Sequence, residues 1–311
     1  VVWQDRVMSF GTEITRDGES LIGPWRRPAQ MLAEQDLGGH TSVHDDATAA
    51  KLGLAGAPIE GPTHFSQIDP LAVDRWGPAW FERGCVSSHF LNMVVEGEQV
   101  RATLTSETAT LGRVVAEKGD GTPVLTATVS LGSSDPTELD ERRRRGLDDP
   151  GQLFIVDQLE IGMIRTNPEP VTMGFDEHNG ALYPLSLAQK LARITEPCSW
   201  YDADGDSPWG RPIVPTEMMS VLAHRAGIHL PVRGPAVGLF IDLEVRYLHG
   251  PVFVGQPYLV EHTIVGLGQS KRVESYWTES TLTDADTGAH TATVLLHQGV
   301  FKASYADYPA T

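Results

Sequence analysis

The chain has 311 residues and a formal net charge of −17 at pH 7, a balance that excludes a nucleic-acid ligand, whose phosphates demand a basic surface. It is 41% hydrophobic and 21% charged, as globular proteins are, and no run of about 18 apolar residues is present to span a bilayer. At roughly 100 to 200 residues per domain the length calls for two domains.

The opening residues, Val1 to Arg6, lack a basic stretch followed by an apolar one, so no secretory signal is expected and the cytoplasm is the expected compartment. The two cysteines, Cys85 and Cys198, are too few for a disulfide framework and read as buried free thiols. An anionic substrate would need a local basic patch. Arg26-Arg27, Lys51, Arg75, Arg211 and the run Arg142 to Arg145 are candidates, each equally readable as solvated surface charge.

In chain order, His44 stands just before a short amphipathic helix predicted over Ala47 to Leu52, with Asp46 as its N-cap and Gly53 as its stop. Pro58-Ile59 and Gly61-Pro62 then open a second, apolar helix in which Phe65 and Ile68 read as core. Val94 to Val100 carries a turn glycine before an extended run. Strands are predicted over 101–107, 113–117 and 124–131, with a turn at Asp120-Gly121. Residues 133–152 are polar, punctuated by Pro and Gly, and read as a linker; the spacings Glu138 to Arg142 and Glu141 to Arg145 suit one helical turn, leaving crossing helix and loop both open.

The order of elements then recurs. Pro212-Ile213-Val214-Pro215 opens another helix, Pro251 to Tyr258 repeats the turn-then-strand entry, and strands are predicted over 259–265, 272–282 and 291–300. Matched points lie about 154 to about 167 positions apart, so this is a duplicated domain with loop insertions. The expected division is 1–132, a linker at 133–152, and 153–311. Helices followed by runs of strands indicate an α+β fold with helices packed on an antiparallel sheet. Pairing the two copies edge to edge would cover an exposed edge and give one continuous sheet with two helices on its concave face.

The residues His44-x-Asp46-x-x-x-Ala50-x-x-Gly53-Leu54, followed by Pro58-Ile59-x-Gly61, resemble those of the MaoC-like dehydratases, the (R)-specific enoyl-CoA hydratases also called hydratase 2. The stretch Ser207 to Pro215 and the run Trp277 to Ser280 resemble the C-terminal half of tandem members. The likeness runs from about Trp25 to Lys302 and implies a double hot-dog fold acting reversibly on 3-hydroxyacyl and enoyl thioesters, CoA-linked rather than carrier-linked. The family pattern Gly-Asp-x-Asn-Pro-x-His falls on Gly38 to His44. Here Gly39 replaces the catalytic aspartate, His44 is kept, and Glu60 stands where a histidine usually precedes Gly61. In the second copy Pro215 and Thr216 fill that slot, so this half is expected to shape the acyl pocket without doing chemistry.

Dehydration takes a proton from the α carbon and gives one to the leaving β hydroxyl, which asks for a base and an acid about 3 Å from the atoms they serve. His44 is the expected base, because imidazole exchanges protons near neutrality; a structural loop histidine is its plainer reading. His40 and Asp45 are candidates for the missing acid. Glu60, Gly61 and Arg211 are candidate substrate contacts, Gly61 as an N–H donor to the enolate-like oxygen. His40, His44, Glu60 and His64 also form a set of zinc-ligand types, but the Gly38-Gly39 loop and a spacing that arises by chance favour no metal. The chemistry requires no cofactor. A thioesterase, a conjugate-addition enzyme and a non-catalytic hot-dog partner subunit stay as alternatives. The expected partner is a small-molecule acyl thioester, with no nucleic acid, no membrane, and exposed sheet edges that leave room for a homodimer.

Overall fold

The computed structural model describes residues 9–132, 134–146, 150–167, 169–225 and 229–309. The chain start read for a signal, and residues 133 and 147–149 of the connector, lie outside the described residues.

The elements run β1 (Thr15–Asp17), β2 (Ser20–Ile22), α1 (Asp46–Lys51), a 3-10 helix (Gly61–Gln67) leading into α2 (Asp69–Trp76), α3 (Ala79–Arg83), β3 (Gly84–Phe90), β4 (Val100–Ser106), β5 (Leu111–Lys118) and β6 (Pro123–Leu131). After α4 (Glu138–Gly146) come β7 (Ile164–Thr166), α5 (Leu187–Leu191), a 3-10 turn (Thr216–Met218) leading into α6 (Met219–His224), β8 (Gly238–Tyr247), β9 (Tyr258–Gln269), β10 (Val273–Asp284) and β11 (His290–Phe301). Among the described residues the strands form one eleven-stranded sheet in the order β1-β2-β4-β5-β6-β3-β8-β11-β10-β9-β7. The six strands predicted from β-rich runs and turn signals correspond to β4, β5, β6, β9, β10 and β11.

The two halves meet where β3 pairs antiparallel with β8, Cys85 opposite Arg246, Ser87 opposite Glu244 and His89 opposite Asp242. This is the edge-to-edge union expected of the duplication. Both faces of the seam are covered. Val86, Leu243 and Val245 pack into the main core with Phe65, Leu71, Met219 and Leu222 from the two helical segments, each fully buried side chain contributing about 1.5–3 kcal/mol. The opposite face lies under α4. Leu139 is fully buried there, its N–H donates to Ser87 Oγ, and Thr137 donates to Glu244. The connector thus carries a helix, started by reciprocal bonds between Thr137 and Asp140 and by acidic residues that complement its dipole.

A buried polar latch also ties the halves. Asp69 on α2, with no exposed surface, accepts from Trp80 Nε1 at 2.9 Å, Tyr201 Oη at 3.0 Å and Thr216 Oγ1 at 2.7 Å. Burial pushes its carboxyl up to about 6 despite these three donors.

One local expectation is corrected. The N-cap of α1 is Asp45, whose Oδ1 accepts from Thr48 N at 2.8 Å and Thr48 Oγ1 at 2.9 Å. Asp46 instead opens the helix and accepts from Ala57 N at 2.9 Å, folding the following loop back onto it.

Candidate active site

Both halves line a cavity of about 550 Å³, a volume suited to a small-molecule ligand. The first half supplies His40, His44, Glu60, Gly61 and His64; the second supplies Tyr183, His224, His262 and Thr278.

His44 is held from two directions. Its backbone N–H donates to Ser42 Oγ at 3.1 Å, and Ser42 donates in turn to Gln35, which pins the loop ahead of α1. Its ring Nδ1 lies 2.7 Å from the carbonyl oxygen of Pro58. A carbonyl can only accept, so Nδ1 carries the proton and Nε2 keeps its lone pair. Burial lowers the pKa of the ring below the usual histidine range, opposed by the Pro58 bond and the charge of Glu60. The imidazole is therefore neutral at pH 7 with a basic nitrogen unengaged among the described residues.

Glu60, half-buried at the entry to the 61–67 helix, does not act as a free carboxylate. Its Oε1 accepts from Lys190 Nζ at 2.7 Å, Tyr183 Oη at 3.2 Å and Thr63 Oγ1 at 3.2 Å. Lys190, on α5, is itself buried and stands 3.2 Å from Glu217 Oε2 without hydrogen-bond alignment, so both Glu217 oxygens lack a hydrogen bond. Burial pushes the Glu217 carboxyl up to about 7, against the pull of Lys190. His64 is buried beside this group with Nδ1 unpartnered, and desolvation lowers its pKa to about 4.

His40 reaches the same cavity, its ring packed where a side chain at Gly234 would otherwise sit, since a Cβ there would lie 2.5 Å from His40 Cε1. Gly61 lines the cavity at the first position of its helix, where an N–H has no intrahelical partner. A Cβ on it would fall 2.8 Å from the Phe90 ring. Two candidates are placed elsewhere. Asp45 is exposed, is occupied as a helix cap, and does not line the cavity. Arg211 is exposed, lies over the Phe253 ring and donates to Gln256 Oε1 at 3.0 Å, away from the cavity. Among the described residues no three His, Cys, Asp or Glu side chains are grouped to hold a metal ion.

Lys190, Tyr183, His224 and His262 were not found from the sequence. Lys190 lies inside a short helix with an ordinary Ser186/Gln189 capping box, and nothing in that pattern marks a lysine as buried. The second-half histidines follow no motif. Their one signal is position, since His262 falls on the buried face of a strand that the sequence does predict.

No family model matches the sequence, and no curated protein does. Solved structures do match. A MaoC domain protein dehydratase of Chloroflexus aurantiacus shares 14% identity at a TM-score of 0.57, covering 92% of this chain and 95% of that one. A conserved hypothetical protein of Mycobacterium tuberculosis with a double hot-dog fold shares 12% identity at a TM-score of 0.56, covering 93% and 96%. The chain has the double hot-dog fold. In this double hot-dog the cavity lies where the helical segments of the two halves converge, the 61–67 helix touching the 216–218 turn, and His44 enters it from the loop before α1.

Proposed function

We propose that this protein is a MaoC-like hydratase or dehydratase acting reversibly on a 3-hydroxyacyl or enoyl thioester, CoA-linked. The observation that carries the proposal is the 2.7 Å bond from His44 Nδ1 to the Pro58 carbonyl oxygen, which fixes a neutral imidazole with a basic Nε2 beside a substrate-sized cavity. In the dehydration direction His44 Nε2 takes the α proton and the C–C double bond forms. The β C–O bond breaks, and its oxygen takes a proton from His40 and leaves as water. Solvent then returns the proton from His44 to His40. The Gly61 N–H receives the thioester oxygen as negative charge develops on it. Glu60, held by Lys190 and Tyr183, keeps the charge near His44 fixed. The chemistry belongs to the half formed by residues 1–132, and the half formed by 153–311 receives the acyl chain.

The test is to incubate the protein with enoyl-CoA esters of increasing length and follow loss of the conjugated thioester. Hydration consumes the conjugated bond without releasing thiol. Thiol release would instead mark a thioesterase, and no turnover at any length would remove the enzymatic reading. His44→Ala should slow the reaction by about 10² to 10⁴.

A further inference from the structure

The cavity continues into the second half, and its lining changes character there. Among the described residues β4 to β6 give the cavity only the aliphatic Val124. On β9 to β11, which hold the corresponding places in the other half of the sheet, the cavity is lined by His262, Tyr276, Thr278 and Gln298 beside the apolar Val300. His262 is 4% exposed and its Nδ1 is engaged with Ser280 Oγ at 2.7 Å, yet its Nε2 is buried without a partner. Thr278, 2% exposed, likewise has Oγ1 buried without a partner. A hydrocarbon seated here would leave both atoms unsatisfied, and buried polar groups are rarely left so.

The missing partner has a definable chemistry. His224, at the end of α6, faces the same cavity with its ring centroid 5.6 Å from that of His262. Its Nδ1 lies 2.7 Å from the Ser220 carbonyl oxygen and so carries the proton, leaving Nε2 as an acceptor. The Thr278 hydroxyl is a donor. One group that donates to the first and accepts from the second is a hydroxyl.

Resting on the thioester reading above, we infer that the second-half end of the cavity is a recognition pocket for a hydroxyl group on the distal part of the acyl chain, so that the substrates are oxygen-bearing acyl thioesters rather than simple fatty acyl ones. Thr278 and His262 Nε2 donate to that hydroxyl, the latter carrying the proton when Ser280 donates to Nδ1, and His224 Nε2 accepts from it.

The experiment measures dissociation constants for saturated acyl-CoA esters, which cannot be hydrated, in three matched chain-length series: unsubstituted, terminal hydroxyl, and methyl ketone with the carbonyl at the penultimate carbon. At one length the hydroxyl ester should bind at least about tenfold more tightly than the unsubstituted ester, because a pocket built to hydrogen-bond a group rejects the analogue lacking it; the ketone should fall between. The nearly isosteric Thr278→Val, and separately His224→Leu, should bring the hydroxyl and unsubstituted constants together. Equal constants across all three series in the unaltered protein, or a hydroxyl preference intact in both variants, would overturn the inference while leaving the hydratase reading standing. A hydroxyl preference in a protein that turns over no enoyl thioester would uphold the pocket and sink the hydratase. Failure to bind any of the esters would sink both.

Discussion

Lys190 of α5 meets Glu60, at the entry to the 61–67 helix, through a 2.7 Å ion pair between side chains 130 positions apart in the chain and only 3% and 11% exposed. With Glu217 at 3.2 Å on the other side, one ammonium serves two carboxylates. Lys190→Met should therefore leave buried charge uncompensated and lower stability by about 3–5 kcal/mol, read as a shift of the urea midpoint at pH 8. Adding Glu217→Gln to that background should recover part of the loss.

Glu217 itself makes stability depend on pH. Its carboxyl is raised from 4.5 to about 7 in the folded protein, so between those values the folded chain holds a proton that the unfolded chain has released. The Glu217 contribution to stability then falls as pH rises across this window, by on the order of 3 kcal/mol. Glu217→Gln should remove that contribution, so the slope of unfolding free energy against pH from pH 4.5 to pH 7 should differ between the variant and the unaltered protein by about this amount. An unchanged slope would place the dependence elsewhere.

For His44 the expected readout is kinetic. Its pKa is lowered by burial, so the ring stays neutral into mildly acid solution, and the acid limb of kcat/KM should have its midpoint below about 6.5. His44→Ala should cost about 10² to 10⁴ in kcat/KM with the urea midpoint little changed. A midpoint above the ordinary histidine range would contradict the tautomer assigned from the Pro58 bond.

Gly61→Ala would drive a Cβ to 2.8 Å from the Phe90 ring. Overpacking of this kind costs about 1–3 kcal/mol, and displacement of the ring would narrow the cavity beside His44. Thermal unfolding should show the loss, and Phe90→Leu in the same protein should relieve much of it by removing the ring atoms concerned.

The legible and illegible parts of the sequence divide by physical cause. Strands β4, β5 and β9 alternate because one face is buried and the other wetter, so their period of two is visible, whereas β6, β10 and β11 are buried over longer runs and are marked by β-rich composition and flanking turns. Strands β3 and β8 carry no such signal because the seam is covered on both faces, by α4 and by the core. Residues 84–88 are all buried, as buried strands are in parallel sheets. His44 was readable because a motif surrounds it. Asp45 and Asp46 were exchanged because adjacent carboxylates both suit a helix start and only coordinates tell which one caps. Arg211 drew attention as a charge near a motif, yet its guanidinium is spent on Phe253 and Gln256.

The seam between β3 and β8 has an evolutionary consequence. Two separate, identical subunits joined along such an edge must repeat every innovation twice, so an imidazole welcomed on one side would also be forced into the oily interior of its twin. A single polypeptide escapes that symmetry. Each side of the join can be altered alone, which is how Val124 of β6 and Thr278 of β10 come to line one cavity with opposite temperaments.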